Sequence, residues 1–153
     1  MPKLLLTREN VHYHKECIAK LTPETKRTFG TLDAHGMICH LIFTKRMSLG
    51  EIKVEDLSNR FTRKILRKIV FEWLTTWPGG KVKAPIDVTP KPENDFETDK
   101  QRLLDYLDTF LDALDERPTD ETINPALGST PISYWSRIHG MHMNHHFRQF
   151  QID

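Results

Sequence analysis

The sequence predicts an all-α protein, a four-helix bundle with an additional crossing helix and a long proline-bearing loop. Three observations support this class. Apolar residues recur at intervals of three and four along several segments. Glycine and proline, such as Gly50 and Pro118, stand where these segments end. No segment competes with a strand-like alternation of apolar and polar residues, so we expect helices only.

Length and composition narrow the class of protein. The 153 residues suffice for one domain, spanning 1–153, and 38% hydrophobic with 28% charged residues is typical of a globular chain. A net charge of +1 gives no overall case for nucleic acid or an anionic membrane surface as partner. Only three consecutive leucines precede charged residues near the start, so we expect no signal peptide, no membrane span and a cytoplasmic protein.

The first helix is predicted over residues 8–20, where apolar residues have loosely helical spacing. Thr22 and Pro23 then form a cap-then-proline pair, at which a short turn or a new helix begins. The two cysteines, Cys17 and Cys39, lack C-x-x-C spacing, and we expect both to be free, packed thiols.

The second helix is predicted over residues 31–50. Thr31 can cap it, Asp33 suits the positive end of the helix dipole, and Gly50 suits the stop. His40 lies on the face that carries the apolar residues of this helix. We therefore expect His40 to point toward the core.

The third segment, residues 58–77, combines an apolar stripe with basic residues. The stripe consists of Phe61, Ile65, Leu66, Ile69, Val70 and Trp73. The basic residues are Arg60, Arg63, Lys64, Arg67 and Lys68. Nucleic-acid binding is one interpretation of this helix, but the near-neutral net charge and the lack of aromatic residues among the basic ones favour a solvated face.

A loop and two helices complete the chain. Prolines mark residues 78–96 as irregular backbone that could cover a site. The most regular helix is predicted over 99–116, closed by Pro118. Thr130 and Pro131 repeat the cap-then-proline pair and open a last helix, which runs through the C-terminal histidines.

Four of the eight histidines stand close together in that last helix: His139, His142, His145 and His146. Because a helix turns about 100° per residue, His139, His142 and His146 fall on one stripe. Gln149 continues this stripe, and His145 lies at its edge. The i, i+4 pair of His142 and His146 can approach one metal ion from adjacent turns, although the pair taken alone favours a solvated or core-edge interpretation.

His40 is the candidate for a third ligand, against the alternative of a core-edge histidine bonded to a neighbour. His35 lies about 140° away around the same helix and is expected to be exposed. Three neutral imidazoles would leave coordination positions open, which is typical of catalytic rather than structural zinc sites. The sequence therefore predicts a place for metal chemistry but no substrate.

Three motifs carry a resemblance to a known family: "FGTLDAHGMICHLIFTKRMSLGE", "WPGGKVKAP" and "SRIHGMHMNHHFRQF". With them the chain resembles the DinB-like (YfiT-like) metalloenzyme superfamily, and within it a branch ending in G-x-H-x-x-H-H-x-R-Q-F. The resemblance implies a four-helix bundle, often dimeric, with a divalent metal ion held by three histidines. Those ligands carry over onto His40, His142 and His146.

The resemblance also implies a class of reaction. Relatives in the superfamily include transferases and an isomerase that use low-molecular-weight thiols, so we expect a metal-dependent transferase or hydrolase acting on a small molecule. His139 or Gln149 would orient a water or thiol that fills an open position of the ion, with a merely packed or exposed His139 as the equal alternative. We expect zinc or nickel, then iron, and a homodimer, with no nucleic acid or membrane as partner. The alternative is a non-catalytic metal- or partner-binding helical module, in which a fourth ligand closes the metal site.

Overall fold

The computed structural model describes residues 4–75 and 87–153. Its α-helices are α1 (Val11–Ala19), α2 (Ala34–Ser48), α3 (Arg60–Lys68), α4 (Phe96–Glu116) and α5 (Ile132–Gln149). A π-helical turn, Ile69–Trp73, continues α3, and two strands, β1 (Glu121–Asn124) and β2 (Gly128–Pro131), precede α5. The protein is therefore mostly helical, as predicted, but the expectation of helices only is wrong.

The hairpin of β1 and β2 is antiparallel and pairs Glu121 with Pro131 at one end and Asn124 with Gly128 at the other. The Asn124 side chain accepts hydrogen bonds from backbone amides inside the connecting turn. Gly128 closes that turn with a φ of +74°, a conformation that L side chains rarely adopt. Strands of four residues are too short to show a period in sequence, which explains why they were not predicted.

Two predicted helix caps differ from those observed. Asp33, not Thr31, caps α2, because its carboxylate accepts a hydrogen bond from the Gly36 amide at 2.7 Å. Thr130 lies in β2 and Pro131 occupies the N-cap position of α5. The predicted stop of α2 at Gly50 is confirmed, since that residue has a φ of +75° just after the helix.

The core lies among α1, α2, α4 and α5. The apolar stripe of α4 faces this core, and its most deeply buried members are Leu103, Leu107, Phe110 and Leu111. Helix α4 begins at Phe96, three residues before the predicted start. Of the predicted loop, residues 78–86 lie outside the described residues. No helix in the described part of the chain is long and apolar enough to span a membrane.

The α3 segment packs differently from the other helices. Leu66 and Val70 are partly buried against the core, whereas Phe61 and Trp73 are 73% and 70% exposed. The predicted apolar stripe is thus split between two directions. Helix α3 has no buried residue and lies at the periphery of the protein.

The N-terminal segment fixes the position of α5, which carries the C-terminal histidines. The Leu6 amide donates to the Ser136 carbonyl at 2.9 Å, and the Ser136 hydroxyl donates to the Leu6 carbonyl at 2.8 Å. A Cβ at Gly140 would lie 2.5 Å from the Leu4 carbonyl oxygen. Glycine at this position therefore allows the segment to cross directly over the helix.

Candidate metal centre

The fold brings together the three histidines that the sequence singles out. His40 projects from α2, and His142 and His146 project from successive turns of α5. The Nε2 atom of His142 lies 2.8 Å from Nε2 of His40 and 3.0 Å from Nε2 of His146. All three residues are buried, with exposures of 7%, 7% and 5% for His40, His142 and His146. This buried cluster has the donor atoms and the spacing to hold a metal ion.

Hydrogen bonds outside the cluster fix the protonation of two of the rings. Nδ1 of His40 lies 2.7 Å from the Val88 carbonyl oxygen, which can only accept. Nδ1 of His146 lies 2.7 Å from Oε1 of Gln149, whose amide nitrogen donates to the Phe29 carbonyl. Both Nδ1 atoms therefore carry the proton, and the Nε2 lone pairs of His40 and His146 face His142.

Burial keeps these rings neutral. Desolvation lowers the pKa of His40, and a smaller opposing effect comes from its bond to Val88. Desolvation, followed by the neighbouring imidazoles, places the pKa of His142 well below its ordinary value. The same two effects lower the pKa of His146 to about 3. Metal binding requires neutral imidazoles, so the cluster is in the protonation state that a cation needs.

The three facing Nε2 atoms contain too few protons for two hydrogen bonds. His40 and His146 present lone pairs, so a proton could come only from Nε2 of His142, which can carry one and donate it in one direction. At least one of the two short nitrogen contacts is therefore not a hydrogen bond. A cation between the three nitrogens would accept all the lone pairs and remove this repulsion.

His139 and His145, which share the helix, lie outside the cluster. Nε2 of His139 lies 2.8 Å from the Ser48 hydroxyl oxygen, and its Nδ1 has no partner in the described part of the chain. The ring stacks on Trp135 with centroids 5.5 Å apart. His145 packs on Phe29 at a centroid distance of 5.4 Å. Of the two residues predicted to orient a ligand, Gln149 contacts a ring of the cluster, whereas His139 bonds to a hydroxyl elsewhere.

Lys45 is a buried group near the cluster that sequence reasoning missed. It is fully buried on α2, and its Nζ has no hydrogen-bond partner among the described residues. Desolvation lowers its pKa to about 7. Its charge in turn contributes to the lowered pKa values of His40, His142 and His146. The available signal for its burial was its position: Lys45 follows Leu41 by one helical turn and so shares the apolar face of α2.

A second group of potential ligands joins α2 to α4. Nε2 of His35 lies 2.8 Å from Oδ2 of Asp99, and Sγ of Cys39 lies 3.6 Å from the same oxygen. The other carboxylate oxygen, Oδ1, accepts from Asn94 at 3.0 Å and from Arg102 at 2.8 Å. Asp99 is only 1% exposed. The sequence interpretation did not combine His35 and Cys39, although they are one helical turn apart.

The electrostatics of this second group favour a carboxylate and a protonated thiol. Burial raises the pKa of Asp99, but hydrogen bonds led by that from His35 outweigh it and bring the pKa to about 2. Burial, followed by the Asp99 charge, raises the pKa of the Cys39 thiol to about 11. Cys39 and Cys17 are both free and buried, which confirms the prediction of packed thiols. His35, predicted to be exposed, is partly exposed, with 22% of its side chain accessible.

Two cavities adjoin α2, one at its N-cap and one along its middle and C-terminal half. One has a volume of about 430 Å³ and is lined by residues 23–30 and Asp33. It adjoins the loop whose Phe29 carbonyl holds Gln149. The other has a volume of about 250 Å³, and Cys39 and Asp99 are part of its wall. Neither wall contains a residue of the three-histidine cluster.

Comparison with family models, curated proteins and solved structures found no match for this chain. The resemblance to the DinB-like superfamily therefore stays a prediction. What can be said of the site comes from its own geometry.

Proposed function

We propose that the protein binds a divalent metal ion through Nε2 of His40, His142 and His146, and that it uses this ion in a reaction on a small molecule. The observation that carries the proposal is the convergence of three imidazole Nε2 atoms, two of which have their Nδ1 protons held by Val88 and Gln149. Hydrogen bonding of the outer nitrogen is the usual arrangement around metal-ligating histidines.

The number of ligands supports an enzyme over a non-catalytic module. In residues 4–75 and 87–153, the cluster contains three donors and no fourth histidine, cysteine, aspartate or glutamate. Residues 1–3 and 76–86 contain none of these four residue types. Three protein ligands leave positions for water or substrate, whereas a structural zinc site is usually closed by four. A purely structural ion is therefore the less favoured alternative.

The donor set limits the metal and the chemistry. Imidazoles suit zinc, nickel and iron, and of these zinc or nickel is our first expectation. Such an ion, when bound, polarises a substrate oxygen or lowers the pKa of a coordinated water or thiol. The resemblance in sequence adds the transferase or hydrolase type, a low-molecular-weight thiol as co-substrate, the DinB-like four-helix bundle and a homodimer to the proposal.

Metal analysis by mass spectrometry on tag-free protein tests the site. We expect His40→Ala, His142→Ala and His146→Ala each to lose one equivalent of metal relative to the wild type, because each removes one of three ligands. His145→Ala is the matched control and should keep the wild-type content, since its ring lies outside the cluster. Circular dichroism on every variant separates loss of metal from loss of fold. Full retention of metal by folded His40→Ala would exclude a site shared between α2 and α5.

Catalysis is tested separately, with the metal-loaded protein. Turnover of thiol and electrophile pairs, or of small esters, should require the ion, persist in His145→Ala and disappear in His142→Ala. Stoichiometric metal binding without turnover across such a panel would instead favour the non-catalytic module.

A further inference from the structure

We propose a second metal site, formed by Nε2 of His35, Sγ of Cys39 and a carboxylate oxygen of Asp99, which fits a zinc-class ion. These three donor atoms lie within 4.8 Å of one another. His35 and Cys39 are one turn apart on α2, so both side chains point to the same side of the helix. Asp99 meets them from the first turn of α4. Two helices thus bring three different donors to one point.

The carboxylate is oriented by bonds that lie outside the donor group. Asn94 donates to Oδ1 of Asp99 at 3.0 Å and Arg102 donates to the same oxygen at 2.8 Å. The other oxygen, Oδ2, is left facing His35 and Cys39. Partners of this kind, which hold a ligand from behind, are a general feature of metal sites in proteins.

The cavity of about 250 Å³ gives this site an entry path and an open coordination position. Cys39 and Asp99 form part of its wall, together with Pro90 and Lys91. The residues of the three-histidine cluster do not line it. Although Cys39 and His40 are adjacent in sequence, their side chains diverge by about 100° around α2. The two donor groups therefore lie on different sides of α2.

The donor set selects the class of ion. Thiolate and imidazole favour zinc and chemically similar ions such as cobalt, whereas magnesium and calcium prefer sites made of oxygen donors alone. On binding, the Cys39 thiol releases its proton to solvent, and the His35 proton that Nε2 donates to Asp99 moves to Nδ1 by exchange with solvent, which frees the Nε2 lone pair for the ion. Metal bonds to sulfur, nitrogen and oxygen then replace the two hydrogen bonds that Oδ2 accepts in the metal-free protein.

Cobalt(II) titration of the reduced, metal-free protein tests this site, because a thiolate-to-cobalt charge-transfer band reports a sulfur ligand directly. The three-histidine cluster contains no sulfur and gives only ligand-field bands. We expect the charge-transfer band to develop with the second equivalent of cobalt, to a final content of one thiolate-bound ion per chain. Cys39→Ser should abolish the band but still bind the first equivalent. Cys17→Ser, the matched control, should keep the band, because that thiol is buried outside the donor group.

The cobalt titration distinguishes failure of the second site from failure of the three-histidine site. His142→Ala should lose the first equivalent and retain the charge-transfer band, so that failure of either site is seen independently of the other. The absence of the band from folded wild-type protein in excess cobalt would overturn the second site. Persistence of the band in Cys39→Ser would do so as well.

Discussion

The two clusters on α2 differ in the direction of their hydrogen bonds. In the three-histidine cluster, Nδ1 of His40 and of His146 bond outward, and the Nε2 atoms face one another with too few protons. In the second cluster, His35 and Cys39 bond inward, to the same oxygen of Asp99. The first cluster therefore has more facing lone pairs than its own protons can satisfy, whereas the hydrogen bonds of the second are satisfied by its own protons.

This difference predicts how the sites behave. A cation entering the first cluster relieves repulsion between lone pairs, but a cation entering the second must replace existing hydrogen bonds. The three-histidine centre should bind metal more tightly for this reason. Lys45, buried beside it without a hydrogen-bond partner in the described part of the chain, extends the contrast between unsatisfied and satisfied polar groups.

Lys45→Met gives the largest expected effect. It removes the buried amine that has no hydrogen-bond partner among the described residues. The pKa of Lys45 is lowered from 10.5 to about 7, and removing this buried amine should raise the free energy of unfolding by about 4 kcal/mol at pH 7. Methionine fills a similar volume without a charge. Urea unfolding in the presence of a chelator measures the change.

The pH dependence of this variant has a defined sign. Between pH 7 and 10.5 the unfolded wild-type chain binds more protons at Lys45 than the folded chain, so wild-type stability rises with pH across this window. The advantage of Lys45→Met should therefore fall to about half at pH 9. Lys53→Met, at an exposed position, should change stability by less than about 0.5 kcal/mol. Destabilisation by Lys45→Met at both pH values would mean that the amine makes stabilising contacts.

Asp99→Ala tests the second cluster, whose hydrogen bonds are satisfied, and should have the next largest effect. The variant removes the acceptor for His35, Arg102 and Asn94, and we expect the metal-free protein to lose about 3 kcal/mol of unfolding free energy. Asp112→Ala is the control, because that carboxylate is 60% exposed and should contribute less than about 1 kcal/mol. Equal losses in the two variants would contradict the view that the second cluster is held together by its own hydrogen bonds.

Measuring the unfolding free energies of the wild type and Asp99→Ala at low pH provides a second test of the same cluster. The pKa of Asp99 lies at about 2, below its ordinary 3.8, so the stability it contributes is complete above that ordinary value and is lost as the pH falls toward 2. The difference in unfolding free energy between the wild type and Asp99→Ala should shrink across that interval.

The sequence predicted those elements whose pattern is long enough to read. Helix α4 has 21 residues with a regular apolar stripe and its start was predicted within three residues, whereas the four-residue strands β1 and β2 carry no readable period. The stop of α2 at Gly50 was predicted because a left-handed backbone favours glycine. Its cap was misplaced, since Thr31 and Asp33 can both cap a helix and only the structure shows which one reaches the helix amides.

Part of the candidate site could also be predicted. The spacing of His142 and His146 placed them on one face, and the apolar neighbours of His40 placed it in the core. The partner of His40, the Val88 carbonyl, could not be predicted, because a backbone oxygen in an irregular segment has no sequence signature. Asp99 was equally hidden, since its role depends on packing between two helices and on Asn94 in the preceding loop.

Gln149→Leu should have the smallest effect and tests whether the outward bonds of the first cluster matter to the metal. Leucine keeps much of the volume but removes the acceptor for Nδ1 of His146, so we expect the dissociation constant for zinc to rise about tenfold. Competition with a chromophoric chelator measures it, and Gln101→Leu, on the exposed face of α4, is the control. Gly30→Ala offers an independent route, because its Cβ would lie 2.4 Å from the Gln149 amide nitrogen and displace that side chain. If both variants bind zinc as the wild type does, the ring of His146 is oriented by packing alone, and the contrast between outward and inward bonds loses its functional meaning.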